Sequence, residues 1–199
     1  MENIGIIKEL FNLVGFSVST VLCRFVRCSA LAGSLFIGMC SISSAGLPIG
    51  KPAKVVDLAG SDGGRPSGKK WSSEELKGKV HLLFYVDPDE KDLNEHVEKA
   101  IKAKDFSKKV FASVAVVNMK ATWMPNFAIA SKIKDKQKVY PETIYVLDKV
   151  GSLTRNWNLK TDSYDVVLFD KKGIVQFSKD GKLSKADVSQ LLKTISNHL

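Results

Sequence analysis

A chain of 199 residues with 44% hydrophobic and 26% charged side chains can build one globular core and is too apolar to be disordered. Its three cysteines, Cys23, Cys28 and Cys40, all lie near the N-terminus, so a disulfide framework, a thiolate zinc site and a cysteine nucleophile are excluded for everything after Cys40. The formal charge of +9 is also uneven: the first 45 residues carry Lys8, Arg24 and Arg27 against Glu2 and Glu9, a net +1, and the remainder holds +8.

The first 45 residues read as an address. Ser29 to Ala45 is a run of 17 uncharged apolar and small residues preceded by Arg24 and Arg27, the order of a signal peptide. Small residues at Ser43 and Ala45 place the cut after Ala45, so 1–45 is the signal peptide and 46–199 the mature domain. The run falls short of the roughly 20 apolar residues that a membrane span needs. Met39, where a lipidation signal needs a small residue, excludes a lipoprotein reading at Cys40. These features predict a periplasmic protein with no stable membrane span after cleavage.

In the mature chain the pattern predicts strands over Lys54 to Leu58, Val80 to Val86, Val110 to Val117, Thr143 to Leu147, Val166 to Phe169 and Ile174 to Phe177. Helices are predicted between and after them. Leu93, Val97 and Ile101 recur at helical spacing, with Asp87-Pro88-Asp89-Glu90 supplying an N-cap, a proline at the first position and a carboxylate at N3. Pro125 is expected to start a second helix and Trp123 to pack at the sheet's end or shape a binding rim. Val188, Leu191, Leu192 and Ile195 form the stripe of a C-terminal helix opened at Ser184 to Asp187. Asp148-Lys149-Val150-Gly151 and Asp170-Lys171-Lys172-Gly173 share a turn spacing closed by glycine, the second as a hairpin. Apolar strands alternating with helices argue for an α/β domain whose central sheet is covered on both faces.

Several segments resemble a known superfamily. The stretch from Trp71 to Val80, the Tyr140 to Asp148 segment and the Val166 to Gly173 hairpin together resemble the exported thioredoxin-like disulfide reductases of the TlpA and ResA type. More closely, FYVDPDEKDLN, NMKATWMPNF, KVYPETIYVLDK, VLFDKKG and SKDGKLS resemble the YtfJ family of bacterial periplasmic proteins. The resemblance implies a thioredoxin-like fold, a central mixed sheet flanked by helices, and no assigned chemistry.

Two departures from the superfamily pattern remove its redox function. The paired cysteines would fall near Glu90 and Leu93, and the cis-proline that faces them would fall near Tyr164. Carboxylates at that helix start are expected to be held ionised by the dipole and free N–H groups, as caps rather than proton donors. If the superfamily's substrate surface survives without its chemistry, the resemblance points to Asp87, Asp89, Glu90, Trp123 and Tyr164 as a candidate interaction surface, with Tyr164 the aromatic anchor and Trp123 the second candidate.

Other motifs carry little. Gly63 to Lys69 spells G-x-x-x-x-G-K, but a phosphate loop needs Ser or Thr next and a following helix, whereas Lys70 and Trp71 follow; a mobile surface turn is expected. The acidic run from Asp87 to Asp92 fails as a calcium loop at Lys91. His81, His96 and His198 have no clustered partners and read as packing or surface residues, so no metal, cofactor or catalytic set is assigned. The lysines from Lys102 to Lys109 and Lys132 to Lys138 are solvated helix faces. Nucleic acid is not expected as a partner; a periplasmic protein or an anionic envelope component is. Two functions remain open: a binding or interaction protein without redox activity, and an envelope enzyme using non-thiol chemistry in the cleft of the lost redox site.

Overall fold

A computed structural model describes residues 46–199. The leader and the cleavage point after Ala45 lie outside the described residues.

The described residues open with β1 (Asp57–Leu58), β2 (Gly63–Gly64) and β3 (Trp71–Ser72), continue through β4 (Val80–Val86), α1 (Glu95–Lys104), β5 (Phe111–Asn118), α2 (Asn126–Val139), β6 (Ile144–Asp148) and α3 (Ser152–Trp157), and end with β7 (Tyr164–Phe169), β8 (Val175–Lys179) and α4 (Lys185–His198). Six strands form a mixed sheet in the order β2-β6-β5-β4-β7-β8, while β1 and β3 pair separately. The central strands β4, β5 and β6 are parallel, and β7, β8 and β2 run antiparallel to their neighbours.

Strand β4 is buried at every position, because helices or loops cover both faces of the sheet at its centre. Its alternation divides the core. Val80, Leu82, Phe84 and Val86 face α1, α2 and α4 with Val97, Ile101, Ile129, Ile133, Leu191 and Ile195. Leu83 and Tyr85 face the other layer with Leu58, Trp71, Leu153 and Trp157. The sheet is thus buried from both sides, and the loops leaving β4, β5 and β6 gather at their C-terminal ends, where α/β folds place ligands.

The local chemistry at the ends of elements is largely as the residues predict. Ser184 accepts from Asp187 N while Asp187 accepts from Ser184 N, a capping box at the start of α4. In the hairpin, Gly173 N donates to Asp170 O at 2.9 Å with φ 79°. His81 is buried in β4, its Nδ1 3.0 Å from Leu76 O and 3.1 Å from Lys79 O. Burial lowers its pKa despite those carbonyls.

Four expectations are corrected. The first strand is only Asp57–Leu58, because Lys54 and Val55 are exposed and pair with nothing in a sheet. Asp87 caps a short 3-10 turn, Pro88–Glu90, rather than the long helix, which starts later at Glu95. The turn after Asp148 leads into an additional short helix, α3, whose first amides are capped from a distance: Asp148 accepts from Ser152 N at 2.8 Å and Leu153 N at 2.9 Å. The glycine-rich stretch is a surface turn only in its second half, where Gly68 N donates to Arg65 O at 2.9 Å, since Gly63 and Gly64 are buried and pair with Asp148 and Leu147 on β6.

Candidate functional site

The loop from Asp87 to Asn94, the loop from Met119 to Pro125 and the segment leading into β7 meet at the C-terminal end of the parallel strands. Two of them are tied directly, because Asp87 N donates to Ser163 O at 3.0 Å. The residues expected to form a surface have sorted into buried and exposed sets.

Asp87 is buried, and its Oδ1 accepts from Asp89 N at 2.9 Å. Its carboxyl is nevertheless pushed up to about 6, chiefly by burial and then by the charges of Asp89, Asp162 and Glu90, which outweigh the stabilising Asp89 amide. The expectation that the carboxylates here stay firmly ionised is corrected for Asp87. Asp89 is exposed and Glu90 partly so, which leaves their charges on the rim.

Tyr164 requires a larger correction. It is wholly buried, so it has no surface with which to anchor a partner. The residue belongs to β7 and pairs with Val86, which turns its ring beneath α1. There it stands edge-on to Phe84, ring centroids 5.7 Å apart, and donates to Glu98 Oε1 at 2.6 Å. Burial, followed by the Glu98 charge, raises its pKa well above the phenol range and keeps the proton in place.

On the opposite face of the sheet the strand ends carry a buried polar row. The Tyr85 hydroxyl donates to Asp148 Oδ2 at 3.1 Å and lies 2.9 Å from Thr154 Oγ1. Asn118, in register with Asp148, is buried with neither amide atom hydrogen-bonded to another described side chain or backbone group. Asp165, in register with Tyr85, is likewise buried. Burial and then the Asp180 charge push it up to about 7, against the opposing pull of Lys160. These groups are spread over four strands, and among the described residues no three His, Cys, Asp or Glu side chains converge as a metal site.

The exposed set is aromatic. Trp123 is 85% exposed and Phe127 79% exposed, four residues apart across the start of α2. Trp123 thus does not pack at the sheet's end. Pro125 occupies the N-cap of α2, so it fixes the approach to the helix while Ile129 and Ile133 hold the helix to the core. Phe127 was not legible as part of a surface, because it lies within the apolar stretch of an amphipathic helix; no short-range signal distinguishes its outward direction.

The geometry can be set beside known proteins. The sequence profile of the YtfJ family, described as a bacterial protein of unknown function, matches residues 61–198. The chain belongs to the YtfJ family. Uncharacterized protein YtfJ of Escherichia coli (strain K12) is 29% identical over 134 residues, covering 66% of this chain and 73% of its own. An uncharacterized protein of Haemophilus influenzae is 26% identical over 129 residues, covering 63% and 70%. Among solved structures, a Bacteroides thetaiotaomicron protein classed with the protein disulfide isomerases superposes with a TM-score of 0.55 at 20% identity, covering 78% of this chain and 94% of that one. A thiol-disulfide isomerase of Corynebacterium glutamicum gives 0.50 at 15% identity, covering 72% and 96%. These likenesses establish the thioredoxin-like fold.

Proposed function

We propose that this YtfJ-family protein is exported to the periplasm and acts there as a non-redox binding or interaction protein, presenting the Trp123 and Phe127 rim of its thioredoxin-like scaffold to a protein partner. The observation that carries the reading is the near-complete exposure of both rings at the end of the sheet where the α/β loops gather. Two large aromatic side chains held in water cost hydrophobic free energy that contact with a partner would recover, and aromatic anchors lose little rotamer entropy on docking. Support for the non-redox part is chemical: after Cys40 there is no thiol to oxidise. Support for export is the sequence order from Arg24 to Ala45.

The test is affinity purification of the tagged protein from envelope extracts, side by side with a Trp123→Ala/Phe127→Ala double variant. A partner recovered with wild type and lost with the folded double variant supports the reading. Equal recovery by both would refute it, as would disulfide-reductase turnover by purified protein cleaved after Ala45.

One observation favours the second reading, an acid–base enzyme: the Asp87 carboxyl pushed up to about 6 at this same end. Asp87→Asn separates the two. A binding surface built on Trp123 and Phe127 keeps its partner in that variant, while a reaction that uses the Asp87 proton is lost.

A further inference from the structure

The two ends of the parallel strands differ in charge. Where the strands finish, the carboxylates of Asp89, Asp162 and Glu90 stand close enough to Asp87 to raise its pKa further once burial has acted. Where the strands begin, the chain places lysines. Val80 opens β4 in register with Phe111, the first residue of β5, so Lys79 lies beside Lys108 and Lys109, and its Nζ donates to Lys108 O at 2.7 Å. The β7–β8 hairpin closes on the same edge, because Gly78 N donates to Lys171 O at 2.9 Å, which brings Lys171 and Lys172 alongside. Helix α1 delivers Lys102 and Lys104 in its last turn, and Lys102 shares one cleft of about 520 Å³ with Lys79 and Lys108.

Part of this charge is cancelled locally. Lys108 pairs with Glu142, Lys77 pairs with Glu74 at 2.6 Å, and Lys171 donates to Leu199 O at the end of α4. Asp105 and Asp170 also lie here, at the C-cap of α1 and in the hairpin. Lys79, Lys102, Lys104, Lys109 and Lys172 outnumber them, and Lys104, Lys109 and Lys172 are exposed. These lysines come from three adjacent strand ends and the covering helix, so they form a broad face. No arginine occurs in these segments, and the rigid fork that grips a single phosphate or a base edge is therefore missing. Point charges on flexible stems suit a diffuse negative surface instead. Phe106, within the lysine loop, is turned onto Phe111 with ring centroids 5.2 Å apart, which leaves the lysines to make the contact.

We propose that this lysine-rich end docks the protein, peripherally and reversibly, on an anionic phospholipid bilayer, with the Trp123 and Phe127 rim at the far end of the sheet and directed away from the lipid. The setting rests on the periplasmic reading, since the membrane crossed during export is then the nearest such surface. Docking on lipid uses neither the rim nor the export signal, so its failure is distinguishable from failure of that reading. The attraction acts within about a Debye length and weakens as salt is raised.

The test is co-sedimentation of residues 46–199, which hold every described strand and helix, with lipid vesicles. Saturable binding is expected to vesicles of phosphatidylglycerol mixed with phosphatidylcholine, falling steeply with salt, and none to phosphatidylcholine alone. Lys104→Glu/Lys109→Glu/Lys172→Glu reverses three exposed charges and is expected to weaken binding by about 100-fold or more. Should that variant fail to fold, Lys104→Gln/Lys109→Gln/Lys172→Gln removes the charges without adding repulsion and is expected to weaken binding by about 10-fold or more. The control, Lys120→Glu/Lys182→Glu/Lys185→Glu, changes net charge equally at exposed positions of the far end and is expected to stay within about 5-fold of wild type. Trp123 is expected to remain open to acrylamide in the vesicle-bound protein. Binding to neither vesicle, equal binding to both, undiminished binding by a folded variant of the lysine face, equal loss in the control, or protection of Trp123 by lipid would each overturn the proposal. Tighter binding to duplex DNA than to the mixed vesicles at the same salt would assign the face to nucleic acid and overturn it as well.

Discussion

The Tyr164 hydroxyl and the Glu98 carboxylate form a 2.6 Å hydrogen bond inside the interface between β7 and α1. It joins a strand to a helix 66 positions apart in sequence, and its acceptor is 7% exposed. Hydrogen bonds to a buried charge are the strong ones, and removing the donor leaves the acceptor desolvated. Tyr164→Phe is therefore expected to lower stability by about 1–3 kcal/mol in denaturant titration, with the fold retained. Because the ring is buried, recovery of partners should not change. A Phe variant as stable as wild type would show that the bond contributes nothing; loss of partners by a folded variant would restore Tyr164 as an anchor.

Two buried carboxyls set an unusual dependence on pH. Asp165, raised to about 7, and Asp87, raised to about 6, bind protons more tightly in the folded chain than in the unfolded one. Stability from this source is fully present near the ordinary carboxylate value of about 4 and falls as pH rises through 6 and 7. Asp170 and Asp187 act in the other direction, their pKa values lowered by hydrogen bonds, so their contribution is lost as pH drops below about 4. His81, lowered by burial, disfavours the fold as it protonates below about 6.5 and so opposes the Asp165 effect in that window. The clean readout is a difference: Asp165→Asn should be more stable than wild type at pH 8 by about 1–3 kcal/mol and gain little at pH 5. An Asn variant that is less stable than wild type at both pH values would refute the assignment.

Gly63 has a backbone reason to be glycine. At φ 137° a Cβ would lie 1.9 Å from Leu147 O, the backbone of the strand with which it pairs. Gly63→Ala must separate β2 from β6, at a cost of about 2 kcal/mol or more. Gly68, at φ 86° in the same stretch, would meet nothing within 4 Å. Its alanine variant should cost only the left-handed backbone penalty of about 1 kcal/mol. Melting curves of the two variants distinguish steric exclusion from conformational preference, and equal losses would refute the distinction.

The contrast between these glycines illustrates which parts of the fold are readable locally. Strand β4 is a continuous apolar run, VHLLFYV, bounded by Gly78-Lys79 and Asp87-Pro88, and no helical period fits it. The hairpin at Asp170 and the capping box at Ser184 are equally local, since all their hydrogen-bonding groups lie within a few residues. Gly63 pairs instead with a strand more than eighty residues away, so its spacing to Lys69 resembled a loop motif. Helix α3 is one and a half turns of a sequence with weak helical pattern, and its cap is Asp148, outside the helix. Tyr164 follows Asp162 and Ser163, polar residues that suggest a loop, while its burial depends on α1 arriving above it. The candidate surface was legible as a region because chain order fixes which loops share an end of the sheet; which side chains point outward was decided by packing.

The outward set makes the last prediction. Of the three tryptophans, Trp71 and Trp157 are buried in the second core, Trp157 with its Nε1 donating to Lys54 O at 2.7 Å, whereas Trp123 is 85% exposed. Acrylamide should therefore quench one red-shifted component of the emission with ease and leave the rest protected. Trp123→Ala should remove that component. Because neither Trp123 nor Phe127 contributes appreciably to the core, the double alanine variant should unfold within about 0.5 kcal/mol of wild type, the range of ordinary surface substitutions. A bound partner that covers the rim should protect Trp123 from the quencher in proportion to occupancy. The decisive combination is unchanged stability together with lost partner binding, for it assigns the rings to recognition rather than folding. A double variant destabilised by several kcal/mol would place the rings in the core, and a partner that binds without protecting Trp123 would place its contact elsewhere.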